Sequence, residues 1–211
     1  MVMNVLAVGA HFDDIELGCA GTLARQVKEG HRVAVFVATH SGYTSPSGKV
    51  IRTAEEALRE GEAAAQILGV DLICGNAPTN QLVFGDELVC QVLRLVEERA
   101  IDTMYIHWDE DVHQDHRALA RACVAAGKHV PRILMYQSNL YESGKPFSGN
   151  FHVDITSTME QKRQAIQAHA SELGRVGGRW LDVFTHRCMI EGYKAGTAYA
   201  EVFSVVKYLV P

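Results

Sequence analysis

Two short stretches of this 211-residue sequence concentrate side chains that can move protons or hold a cation. One is Ala10-His11-Phe12-Asp13-Asp14; the other runs from His107 through Trp108, Asp109, Glu110, Asp111, Val112, His113, Gln114 and Asp115 to His116. His11 and Asp14 stand three residues apart across a strand-to-helix turn, so both can face one point while Asp13 is displaced to the side. His116, opening a later helix, can add a third ligand. Two histidines and a carboxylate form a catalytic zinc set that leaves a fourth position for water. His113 lies one turn before His116 and shares its face. The local pattern leaves a second reading open, in which the histidines are hydrogen-bonded surface groups and the Asp13-Asp14 pair caps a helix beginning near Ile15. A phosphate-binding turn fits less well, because the stretch after Gly9 lacks the glycines of GxGxxG and puts acids where a phosphate would sit. A nucleophilic serine or cysteine also fits poorly: no GxSxG elbow occurs, and no cysteine sits in a comparably charged cluster.

The elements that position these groups alternate. Asn4–Gly9 reads as a strand, Gly18–Glu29 as a helix ending at Gly30, and His31–Ala38 as a second strand. A Gly/Ser/Pro-rich loop over 41–48 precedes a helical pattern from about Arg52 to Leu68. Val70–Cys74, Asp86–Arg99, Thr103–His107 and His113–Gly127 continue as strand, helix, strand and helix. Ile133–Gln137 and Phe151–Val153 are further strands, and Ser157–His169 a further helix. The segment from Glu172 to Ala198 is glycine-rich and reads as loop or mixed structure, and Ala200–Val210 as strand or short helix. The alternation predicts an α/β fold: a single Rossmann-like domain over 1–211, with a mostly parallel sheet and helices on both faces. In such a sheet ligands bind beyond the carboxyl ends of the strands, where both ionisable clusters fall.

Composition narrows the partners. Hydrophobic residues make up 47% and charged residues 21%, the balance of a globular protein. A formal charge of −5 provides no basic excess for nucleic acid or an acidic membrane surface. The longest apolar runs, such as Val33–Ala38, are strand-sized and far below the ~20 residues that span a bilayer, so the expected location is cytoplasmic. The five cysteines, Cys19, Cys74, Cys90, Cys123 and Cys188, are scattered and odd in number, which predicts reduced packing thiols.

The stretch AHFDDIELGCAGTLA, followed about a hundred residues later by HQDH, resembles the PIG-L/LmbE-like deacetylases, whose motifs are AHPDD(x)E and HxDH. Arg59 and Glu62 before AAAQILGV, the stretch FHVDITSTMEQKRQAIQAHASE and the terminal GTAYAEVF are similar to later segments of that family. The resemblance implies that His11, Asp14 and His116 bind Zn2+, or another divalent ion such as Fe2+, and that Asp13 is the general base. It implies that His113 steadies the tetrahedral intermediate or protonates the leaving amine, with Asp115 orienting it. Arg59, His169 and Tyr199 would be substrate contacts, each against the plainer alternative of an exposed or packing residue. His40 and Asp109 sit at the right edge without a family role, and Trp108 can stack on a sugar or simply pack. Two positions depart from the pattern: Phe12 replaces the usual proline, and Glu172 stands where HxSQ is common.

The implied activity is hydrolysis of an N-acetyl group from an N-acetylglucosamine-type sugar or glycoconjugate by a homo-oligomeric enzyme. Amide hydrolysis needs activated water, a stabilised oxyanion and a delivered proton, and these residues supply a group for each. A hydratase or lyase acting on an unsaturated acid would use the same zinc and base. A metal-binding protein without turnover would need neither Asp13 nor His113.

Overall fold

Apolar, β-branched runs suit the pleated, half-buried surface of a sheet. The computed structural model, which describes residues 2–210, gathers most of these runs into one. The elements are β1 (Asn4–Gly9), α1 (Asp14–Gly18), α2 (Ala20–Lys28), β2 (Arg32–Thr39), β3 (Tyr43–Thr44), β4 (Val50–Arg52), α3 (Ala54–Leu68), β5 (Asp71–Ala77) and α4 (Asp86–Glu98). They continue as β6 (Thr103–His107), α5 (Gln114–Ala126), β7 (Arg132–Tyr136), β8 (Phe151–Asp154), α6 (Met159–Ala168), α7 (Ala170–Arg175), α8 (Arg179–Ala195) and β9 (Ala200–Tyr208). The seven-stranded sheet has the order β5-β2-β1-β6-β7-β9-β8. Its first five strands are parallel, and β9 runs antiparallel to both neighbours.

Both faces are covered. Leu88 and Val92 of α4 and Leu119 and Cys123 of α5 pack on Leu6, Val8, Phe36 and Ile106. On the other face Ile15, Cys19, Leu23 and Ala57 pack on Val5, Val35, Tyr105 and Tyr136. The result is the expected mostly parallel α/β sheet. Strand β1 pairs with β2 on one side and with β6 on the other. The chain therefore leaves the ends of β1 and β6 in opposite directions and opens a crevice between them.

Three expectations change. The helix expected over Gly18–Glu29 starts earlier and divides at Cys19 into α1 and α2. The segment expected as loop or mixed structure contains α7 and the 17-residue α8, whose flanking Gly178 and Gly196 have φ of 73° and 80°. Most glycines of that segment flank its helices and terminate them there. Three of the five cysteines are buried, while Cys74 and Cys90 are exposed.

The division at Cys19 leaves helix-end groups in the interior, and a buried ion pair takes them up. Lys162 Nζ donates to the carbonyls of Glu16 at 3.0 Å and Leu17 at 2.8 Å, at the end of α1. Glu201 accepts from the N–H groups of Gly21 at 3.0 Å and Thr22 at 2.7 Å, at the start of α2. The two side chains meet at 2.6 Å, and Lys162 is wholly enclosed. Removing one partner strands the other charge. Lys162→Met is therefore expected to lose ~3–5 kcal/mol of stability in urea unfolding, and Lys162→Met/Glu201→Leu to lose less than the single variant.

Candidate active site

The first motif begins where β1 ends, in a turn whose backbone is held by side chains. The Asp14 carboxylate accepts the His11 N–H at 2.8 Å. Phe12 N–H donates to Ser41 Oγ at 2.9 Å, and the Phe12 carbonyl accepts from the Arg52 guanidinium at 3.0 Å. Between these clamps Asp13 adopts φ 122°, a conformation that costs a side-chain-bearing residue of order 1–3 kcal/mol and persists only under such constraint. The Phe12 departure has a physical basis here. A proline could not make the Ser41 bond, and the buried phenyl ring lies over Gly61, where an added Cβ would stand 2.2 Å from it.

The second motif meets the first across the crevice. His116 Nε2 lies 3.1 Å from Asp14 Oδ1 and 3.3 Å from His11 Nδ1, and His11 Nδ1 lies 3.3 Å from Asp14 Oδ2. A tetrahedral ion with ligand bonds of about 2.0–2.2 Å spaces its donor atoms about 3.3–3.6 Å apart, so this triangle fits a divalent metal. The far nitrogens of both rings face carboxylates: His11 Nε2 hydrogen-bonds Asp115 Oδ2 at 3.0 Å, and His116 Nδ1 stands 3.2 Å from Asp111 Oδ2. Such carboxylate–imidazole pairs hold a ligand ring in orientation. His107 and His113 also approach within range of a shared ion, and their rings stack on the two sides of His116 at 3.9 and 4.6 Å. Each has a nitrogen already in use. His107 Nε2 accepts from Ala10 N–H at 3.0 Å, and His113 Nδ1 caps α5 by accepting from Asp115 N–H at 3.2 Å.

Charge follows this arrangement. Burial disfavours protonation of His116, but Asp14 and Asp111 outweigh it and lift the pKa to about 10. Burial likewise opposes His11, whose pKa Asp115 and Asp14 raise to about 9. His113 goes the other way: burial, then the adjacent His116 and His11, lower it to about 4. Burial opposes ionisation of Asp14, yet His116 and His107 hold its carboxyl well below the usual range. Asp13 is pushed up to about 7 by burial and then by Asp14. The carboxylates thus stabilise positive charge at the centre of the triangle, and metal binding would displace protons from its imidazoles.

A cleft of about 350 Å³ opens above these groups and reaches His11, Asp13, Asp14, His113 and His116. Ser41, Tyr43, Arg52, Asn80, Tyr141 and Trp180 are among its other walls. The expected substrate contacts are placed elsewhere. Arg59 is exposed on α3 and does not line the cleft; Arg52, buried beneath Asp13 at 3.8 Å from its Oδ2, takes the position foreseen for an arginine. His169 is buried behind that arginine, between Arg52 at 3.3 Å and Glu16 at 3.4 Å. Tyr199 packs with Ile155, Met159 and Cys188, away from the cleft. His40 and Asp109 do not line it either, and Trp108 is a packing residue set edge-on to Phe147. Glu172 does reach the cleft, where it accepts from Tyr43 Oη at 2.9 Å and from Arg175 at 2.6 Å. Sequence patterns give no sign of Arg52 or of Ser138, whose hydroxyl donates to Asp14 Oδ1 at 2.9 Å from the loop after β7.

Asp115 is also placed differently from expectation. Its carboxylate does not orient His113. Besides holding His11, it accepts the N–H groups of Asn80 at 2.7 Å and Leu82 at 3.1 Å, in the loop after β5. One enclosed carboxylate thereby fixes both a ligand ring and a wall of the cleft. Asp115→Asn is expected to weaken divalent-metal affinity by ~10–100-fold in a chelator competition and to speed amide hydrogen exchange over 78–85. Normal exchange with weakened affinity would separate the two effects.

The chain has relatives among known proteins. The family described as PIG-L, GlcNAc-PI de-N-acetylase, matches residues 6–127. The uncharacterized deacetylase YaiS of Escherichia coli is 31% identical over 142 residues, 64% of this chain and 74% of the relative. The diacetylchitobiose deacetylase of Thermococcus kodakarensis is 26% identical over 224 aligned positions, covering 95% of this chain and 82% of the relative. Among solved structures, the conserved protein TT1542 of Thermus thermophilus superposes with a TM-score of 0.83 at 27% identity, covering 100% of this chain and 97% of that one. With the matched region carrying both motifs and the fold shared from end to end, the chain belongs to the PIG-L family of N-deacetylases.

Proposed function

We propose that the protein is a zinc-dependent N-deacetylase that releases acetate from an N-acetylglucosamine-type sugar or sugar conjugate. The observation that carries this reading is the His11–Asp14–His116 triangle on the floor of the cleft, with the Asp13 carboxylate beside it. Zinc bound by these residues supplies Lewis acidity, which polarises an acyl oxygen and makes water more acidic. The remaining steps belong to the chain.

Asp13 faces the cleft, with Arg52 as a loose ion-pair partner at 3.8 Å from its Oδ2. Its carboxylate is the base that takes the proton from water. A buried carboxylate whose proton affinity is raised is a stronger base than one in solvent. Arg52 carries out a different task, bracing the Phe12 peptide that sets the direction of Asp13. His113 acts as a neutral donor. Because its Nδ1 accepts a backbone N–H, the ring proton resides on Nε2, from which it can hydrogen-bond developing negative charge, while the proton that Asp13 takes from water passes to the leaving amine. This differs from the expectation that His113, oriented by Asp115, protonates the leaving amine.

The cleft walls suit a pyranose. Tyr43, Tyr141 and Trp180 offer ring faces for its apolar side, and Asn80, Asn139 and Arg175 offer polar groups for hydroxyls. The diacetylchitobiose deacetylase relative acts on an N-acetylated amino sugar, which supports the same class here.

Two measurements test the reading. Asp13→Asn is expected to lower kcat on an N-acetyl amino sugar by ~100-fold or more with zinc content unchanged. Asp14→Asn is expected to lose the metal itself. A fully active Asp13→Asn enzyme would remove the base from the mechanism. Separately, N-acetylated sugars and conjugates assayed for acetate and new primary amine should yield the two products in equal amounts. Hydration of an unsaturated acid, with no acetate released from any sugar, would replace the deacetylase by a hydratase.

A further inference from the structure

The catalytic cleft continues along the loop that follows β7. At Tyr141 it adjoins a hollow of about 180 Å³ bounded by Trp108 and Phe147. Gln137 and Phe147 are shared in turn with a third hollow of about 330 Å³, reached by Arg187, Glu191 and Lys194 of α8. This last space shares no wall residue with the catalytic cleft.

Arg187 is unusual among the cations here. It is half-buried, donates to the Gln137 carbonyl at 3.0 Å, and lies 5.6 Å from the centre of the Phe147 ring. Among the described residues no carboxylate pairs with it. The acids nearby are taken by others: Glu191 by His152 at 3.0 Å and Lys194 at 2.7 Å, and Glu201 by Lys162 at 2.6 Å. Burial pulls the Arg187 pKa down, against the opposing influence of Cys188, Glu191 and Glu201. A guanidinium withdrawn from water favours an anion, and its planar fork matches the two oxygens of a carboxylate or phosphate.

We propose that the third hollow is an anion subsite in which Arg187 pairs with a carboxylate or phosphate group. The proposal stands apart from the deacetylase reading, because it concerns binding at a place remote from the metal ligands. Two sources share the chemistry: the far end of an extended substrate lying along the 137–149 loop, or a free anion.

The test titrates inorganic phosphate into metal-loaded protein by calorimetry, with ionic strength held constant by chloride. Wild type is expected to bind saturably, and Arg187→Gln to bind roughly tenfold or more weakly, the loss of a charge-assisted pair. Arg187→Gln also frees Phe147, so Ser148→Glu is the second variant. It leaves Arg187 on its ring and supplies a carboxylate from within the chain, and it should weaken phosphate to a similar degree. Absence of saturable binding to wild type, or equal binding by wild type and both variants, would overturn the subsite. Where phosphate binds, its kinetic effect identifies the source. A raised KM with unchanged kcat, lost in Arg187→Gln, assigns the subsite to the substrate's far end; unchanged kinetics assign it to a free anion.

Discussion

The Asp14 carboxylate is the point on which separate parts of the chain converge. One oxygen accepts the His11 N–H and faces His107 at the end of β6; the other accepts the Ser138 hydroxyl and faces His116 at the start of α5. Strand ends from the middle of the sheet thus meet through one buried negative group. Left alone, such a charge in the interior would be very costly, and the surrounding imidazoles and hydroxyl offset that cost. The same convergence makes the spot attractive to a divalent ion, so the requirement for burying the group and the requirement for function coincide. Even the conformation of Asp13 follows, because a turn tied down at Asp14 and Phe12 forces the intervening residue into positive φ.

Much of this is legible in the sequence. The strands β1 and β6 are continuous apolar runs bounded by polar or glycine residues, and their limits are read correctly at Asn4–Gly9 and Thr103–His107. The convergence of His11, Asp14 and His116 is also legible, since each lies just beyond a strand end or at a helix start where the fold must open. The glycine-rich segment before β9 is less so. Composition signals loop there, whereas position decides the outcome, with most of the glycines flanking the helices.

Contacts that depend on tertiary placement escape sequence reading for a different reason. Arg52 and Arg59 lie in the same stretch, and pattern alone cannot distinguish an arginine that turns inward from one that faces solvent. Asp115 sits beside His113 in the chain, which suggests a pair. The helix directs its carboxylate instead to His11, 104 residues away, and to a loop 33 and 35 residues upstream. Adjacency in sequence at a helix start does not imply shared direction. His169 and Tyr199 likewise sit in segments similar to the family, yet His169 lies behind the lining residue Arg52 and Tyr199 packs away from the cleft.

The capping of α1 and α2 by Lys162 and Glu201 has a kinetic side. The Gly21–Glu201 bond spans 180 positions and the Leu17–Lys162 bond 145. Contacts of such separation close only after large loops of chain have been ordered, which slows their formation. The first motif is therefore far along the chain from the groups that seal the helix ends beside it. Sealing of these helix ends thus waits for β9, which carries Glu201, to join the sheet.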